Sequence, residues 1–105
     1  MSQTETLLST AAAVTGTPRQ YQELNDKPWT SIHASLAGTG AISGTFPIYV
    51  GNDLSMPFII AGTISLSGTT TAADGFSMMS RWKWIRADCT TILGTGATAT
   101  IVKAN

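Results

Sequence analysis

Between Ile64 and Val102 the chain reads ISLSGTTTAADGFSMMSRWKWIRADCTTILGTGATATIV, short alternating apolar runs separated by clusters of small turn-forming residues. Runs of roughly four to eight β-formers bounded by Gly, Ser and Asp are the pattern of an antiparallel sheet with many reversals. The pattern excludes any long helix in this stretch, and nothing in it matches a catalytic motif.

The strand pattern extends toward the front of the chain. Trp29 to Leu36 alternates, with Ile32, Ala34 and Leu36 on one side and Ser31, His33 and Ser35 on the other. Phe46, Ile48 and Val50 share a face, and Pro47 among them predicts an edge position or a bulge. Gly51-Asn52-Asp53 reads as a turn. Phe58 to Leu66 is the most apolar run and is expected to start buried on both faces. Ser67 to Gly75 reads as a loop. Phe76 to Met79, Trp82 to Ile92 and Ala97 to Val102 read as three further strands, the last two joined across Gly94-Thr95-Gly96. The expected fold is all-β, an antiparallel β-sandwich or jelly-roll-like domain of seven or eight short strands over residues 21–105. Residues 1–20 precede it as an arm, with an initial strand as the other reading, and Tyr21 to Lys27 form a polar connection ended by Pro28.

Composition narrows the function. At 105 residues the chain is one domain, and Thr, Ser, Ala and Gly supply nearly half of it, so each residue buries little apolar area. Only 11% of residues are charged, against roughly 25% in an average domain, and the net charge is zero. A neutral, charge-poor domain is expected to cover much of its surface with copies of itself or a larger body. Balanced charge argues against nucleic acid as a partner. No apolar run approaches the roughly 20 residues of a membrane span. MSQTETLLSTAAAV lacks the basic and continuous apolar regions of a secretory signal, which leads us to expect a cytoplasmic site of synthesis.

Residues suited to chemistry are sparse. Cys89 is the lone cysteine and His33 the lone histidine, so no disulfide, Cys-based zinc site or His pair can form within the chain. Glu5, Glu23, Asp26, Asp53, Asp74 and Asp88 are scattered singly. Gly38-Thr39-Gly40 and Gly94-Thr95-Gly96 lack the following helix that a phosphate cradle needs. The chain is therefore expected to have no catalytic residues, no metal and no cofactor.

One cluster stands out. In the segment from Arg81 to Cys89, a period of two puts Ile85, Ala87 and Cys89 on a core face, and Trp84, Arg86 and Asp88 on the other, with Trp82 leading in. Two indoles beside a guanidinium fit four situations: cover from another part of the chain, an interface of the Trp- and Arg-rich kind, a platform for a sugar ring, or, weakest given the balanced charge, stacking of single-stranded nucleic acid. Leu7, Leu8 and Val14, with Arg19, are the candidate contacts of the arm.

LSGTTTAADGF, then WKWIRA, then GTGATATI resembles the closing segment of small β-sandwich structural proteins of tailed bacteriophages. The likeness covers about residues 60 to 102. It implies a non-enzymatic virion component assembled in the host cytoplasm: a capsid decoration or cement protein, a head fibre or a tail component. The implied partners are the chain itself, as a homo-oligomer, and the major capsid or another virion protein. The alternative is a carbohydrate-binding or adhesin module displayed on a tail or fibre, with surface glycans as its partner.

Overall fold

One long hairpin organises the protein. In the computed structural model, which describes residues 4–20, 29–79 and 82–104, strand β3 (Trp29–Gly51) pairs antiparallel with β4 (Ile59–Met79) from Trp29 opposite Met79 to Val50 opposite Ile59. The other side of β3 carries two successive strands, β6 (Thr91–Ala104) beside its first two-thirds and β5 (Trp84–Ala87) beside its end. Strand β1 (Thr4–Thr10) lies on β6, and the two-residue β2 (Arg19–Gln20) lies on β5. Between them, Val14 bridges Cys89 through both backbone hydrogen bonds, at 2.8 and 2.9 Å. The polar connection over residues 21–28, together with Arg81, lies outside the described residues.

Drawn straight, the 23 residues of β3 would extend about 78 Å at about 3.4 Å per residue. The longest axis of the molecule is 42 Å, so the strand must bend. The bend falls where the backbone turns left-handed: Gly40 (φ 76°) in β3, Thr70 (φ 66°) in β4, and Gly94 (φ 122°) and Gly96 (φ 66°) in β6. These are the only described residues with positive φ, and the ladders place them at one level across three neighbouring strands. Register slips there too, between Ala37 and Ala41 against β4 and around Thr39 against β6. Extra residues on one strand of a ladder bend it and increase its twist. The result is a crease that folds the sheet back until it is nearly closed into a barrel.

Alternation then fills the inside. Ile32, Ala34 and Leu36 before the crease, and Ile42, Phe46, Ile48 and Val50 after it, are all buried. Ile64 and Leu66 meet them from β4, Ile85 and Ala87 from β5, and Ala97, Ala99 and Ile101 from β6. The opposite face is covered with exposed Ser, Thr and Ala.

The fold is all-β and antiparallel as the sequence predicts, but among the described residues the strands number six rather than seven or eight. Ser67 to Gly75 is not a loop; it is the middle of β4. Gly94-Thr95-Gly96 does not reverse the chain; it is where β6 crosses the crease. Both segments carry turn chemistry, and here it bends strands instead of ending them. Trp82 to Ile92 is conversely broken at Asp88–Thr90 into β5 and β6. Pro47 lies in the central strand, beside this break. Its carbonyl accepts the Asp88 N–H at 3.1 Å, and the register against β4 shifts one residue later. A proline in a central strand is tolerated at such an irregularity.

Residues 4–20 are woven into the sheet. Leu7 is buried in the core, and Leu8 packs against it.

Candidate functional site

Strand β5 sorts its side chains by the period of two. Ile85 and Ala87 face the core, followed by buried Cys89, while Trp84 and Arg86 lie half-covered on the other side. Pairing with β3 sets Arg86 beside Tyr49, and its guanidinium stacks over that ring with Cζ 4.4 Å from the centroid. The Phe58 ring lies 5.6 Å from the same atom. Arg86 Nε donates to Asp88 Oδ1 at 2.8 Å and Nη2 to Oδ2 at 3.1 Å, a two-pronged pair. Asp88 Oδ1 also accepts the Gly16 N–H at 2.9 Å. Gly16 has no room for a side chain, because a Cβ would collide with the Ala87 carbonyl oxygen. Arg86 and Asp88 thus fasten the segment after β1 onto the sheet. The guanidinium is engaged inside the protomer.

The two indoles part company. Trp82 packs against the core and lines an apolar cleft of about 350 Å³ with Val50, Met56, Pro57 and Ile59. Trp84 lines an adjoining, polar cleft of about 340 Å³ with Asn52, Asp53, Leu54 and Lys83, the two clefts meeting at Asn52 and Asp53. They do not share one face as the sequence suggests, because regular pairing starts only at Trp84 and Trp82 precedes the strand.

The loop between β3 and β4 is held by its own polar groups. Asn52 Oδ1 accepts the Lys83 N–H at 3.1 Å. Asp53 Oδ1 accepts the Ser55 N–H at 2.9 Å and its hydroxyl at 2.8 Å, and the Met56 N–H donates to the Asp53 carbonyl at 3.1 Å. The Ser55 backbone N–H, then its hydroxyl, hold the Asp53 carboxyl below the usual carboxylate range. Polar anchoring leaves the apolar residues of this tip outward: Leu54, Met56, Ile59 and Ile60 are 56%, 62%, 53% and 56% exposed. The expectation that the run from Phe58 starts buried on both faces therefore fails, since β4 lies at an edge of the sheet. Neighbours in a strand face opposite ways, so at most one of Ile59 and Ile60 could face the core, and here neither is covered.

Of the proposed arm contacts, Leu7 and Leu8 are committed to the interior and hold β1 to the sheet. Val14 is 43% exposed. Arg19 pairs with Glu5 at 3.6 Å, and Glu5 also approaches Lys103 at 3.7 Å. His33 is exposed on the outer face. Among the described residues, no three His, Cys, Asp or Glu side chains stand close enough together to hold a metal ion. Neither models of known protein families, nor curated proteins, nor solved structures give a match to this chain.

Proposed function

We propose that this chain is a non-enzymatic structural protein that works by docking, in several copies, on a larger protein assembly. The observation that carries the reading is the apolar tip of the β3–β4 hairpin. Met56 and Ile59 are exposed at the Trp82 cleft and Leu54 at the neighbouring Trp84 cleft, on a domain with very few charges. Contiguous exposed apolar surface of this kind marks interaction sites. The assembly that the residue 60–102 resemblance implies is the virion of a tailed bacteriophage, with the chain as a capsid decoration or cement protein. In that reading, the hairpin halves stacked across the crease are the two layers of the sandwich.

Immunogold labelling of purified particles from the cognate lysate tests this. Label on the heads is expected. Label absent from every particle while the chain stays free in the supernatant would reject a virion role. Leu54→Ser with Met56→Ser should release the protein from the particle without lowering its melting temperature, since both side chains already face water.

A second reading has one observation in its favour. The Trp84 cleft sets an indole beside Asn52, Asp53 and Lys83, a stacking surface ringed by polar groups of the kind that takes a sugar ring. A glycan array separates the two readings, because binding lost in Trp84→Ala but kept in Met56→Ser, whose side chain lies outside the Trp84 cleft, would favour an adhesin.

A further inference from the structure

We infer that the first half of β4 is a self-association edge, where a second copy of this chain adds its own β4 antiparallel to form a two-fold dimer. The inference rests on the assembly reading above and names one of its partners.

Strand β4 pairs with β3 on one side, and no described residue pairs with its other side. Long edge strands are ordinarily blunted by Lys, Pro or inward charges, because their unpaired N–H and C=O groups accept another strand. Among its 21 residues β4 has no proline and a single charge, Asp74. Asp74, exposed and in register with Ala34, guards the second half only. From Ile59 to Gly68 the edge reads IIAGTISLSG, free of charge and rich in β-branched residues, the composition that pairs readily with itself. A bulge at Ala61, where the ladder steps from Ile48–Gly62 to Tyr49–Ile60, leaves regular pairing with β3 from Gly62 to Gly68.

In the monomer these edge groups face water; a row of them fits an extended strand, and charge selects which one. A charged strand would give up hydration against a segment that offers no counter-charge. A second copy gives up none. Antiparallel pairing about Ile64 sets Gly62 opposite Leu66 and Thr63 opposite Ser65, and it leaves each Asp74 beyond the start of the partner's strand at Ile59. Because the same surface serves both copies, the contact closes as a dimer and does not propagate.

Sedimentation velocity of the full chain from about 1 to about 100 µM, the range that resolves micromolar affinities, should show monomer giving way to dimer. Thr63→Lys with Ser65→Lys, both on the exposed face, should weaken the dimer at least about tenfold. Ser77→Lys, on the guarded half, should leave it unchanged. Hydrogen exchange on the unmodified protein gives a readout independent of the variants, with protection over residues 62–66 rising with concentration. A protein that stays monomeric throughout overturns the inference. So does a dimer that tolerates both lysines and shows no concentration-dependent protection of this edge. A dimer broken only by the Leu54→Ser and Met56→Ser pair, or a monomer that still labels the particle, removes the edge and leaves the assembly reading standing. A monomer that binds no particle removes both.

Discussion

The ring of Phe76 rests on Gly62, an earlier residue of the same strand: a Cβ added to Gly62 would come within 2.7 Å of Phe76 Cζ. Two positions of one β-strand can touch in this way only if the strand is folded back on itself. Gly62→Val should therefore cost about 1–3 kcal/mol, the usual scale for overpacking, measured by urea unfolding. Adding Phe76→Ala should recover part of that loss, because the clash disappears with the ring, and the cycle should show clear non-additivity.

The crease offers a test of backbone strain separate from packing. A Cβ at Gly40 would meet nothing within 4 Å, so Gly40→Ala should lose only the left-handed backbone penalty, about 1–2 kcal/mol. Thr70 adopts the same region with a β-branched side chain, where such residues are rare. Thr70→Gly should raise stability by up to about 1 kcal/mol, net of the greater chain entropy of glycine. Opposite signs at Gly40 and Thr70 in one thermal-melt series are the expected result.

Asp88 is a joint between two parts of the chain. Asp88→Ala leaves the Gly16 N–H and a largely covered Arg86 without their acceptor, and should cost about 2–3 kcal/mol. Gly16→Ala should be at least as damaging, since the new methyl group has no space against the Ala87 carbonyl. Denaturant midpoints of the two variants check both.

Leu7 separates a structural strand from a docking arm. Leu7→Ala should destabilise by about 2–5 kcal/mol, as for any buried leucine, whereas Leu54→Ala at the exposed tip should stay within about 0.5 kcal/mol. Deleting residues 2–17 should lower the melting temperature sharply, because it removes β1 and the Val14–Cys89 bridge together.

Burial raises the Cys89 thiol above its ordinary value, with a smaller opposing effect from the Thr91 backbone. In the unfolded chain the thiol ionises near its usual pKa of about 8.5. Its contribution to stability is thus complete below that pH and is lost as pH rises toward the native value. Between about pH 8 and pH 10 the parent should lose more stability than Cys89→Ala, followed by urea midpoints. The native thiol should react with an aromatic disulfide reagent only as fast as the protein unfolds.

Period-two alternation made the inward faces legible. Ile32 with Leu36, Phe46 with Val50, and Ile85 with Cys89 sit where the sequence placed them, because each side is marked by bulk against polarity. Length and connection were not legible. Thr69 to Ala73 presents small side chains on both faces, so nothing local distinguishes a strand from a loop, and only pairing with Ser35 to Ala41 makes it a strand. The glycines at 94 and 96 signal left-handed backbone, and local sequence does not say whether the chain then reverses or merely bends. At the candidate site, alternation placed Trp84 and Arg86 opposite Ile85 and Ala87, but how far that face is covered was not legible. Nor was the exposed tip, since whether Ile59 and Ile60 are covered depends on what lies beyond the sheet edge.

Thr4 pairs with Ala104, and β6 lies between β1 and β3. β1 is made before its neighbour β6 and so has no strand to join until residues up to Ala104 have followed it. The β3–β4 hairpin can form in the meantime, but its core stays uncovered on the side where β5 and β6 belong. Contacts so distant in sequence place the protein among slow folders, on the millisecond-to-second scale. During synthesis, the uncharged run from Ile59 to Gly68 is open to the hairpins of neighbouring nascent chains, so one edge would serve assembly after folding and expose the chain to aggregation before it.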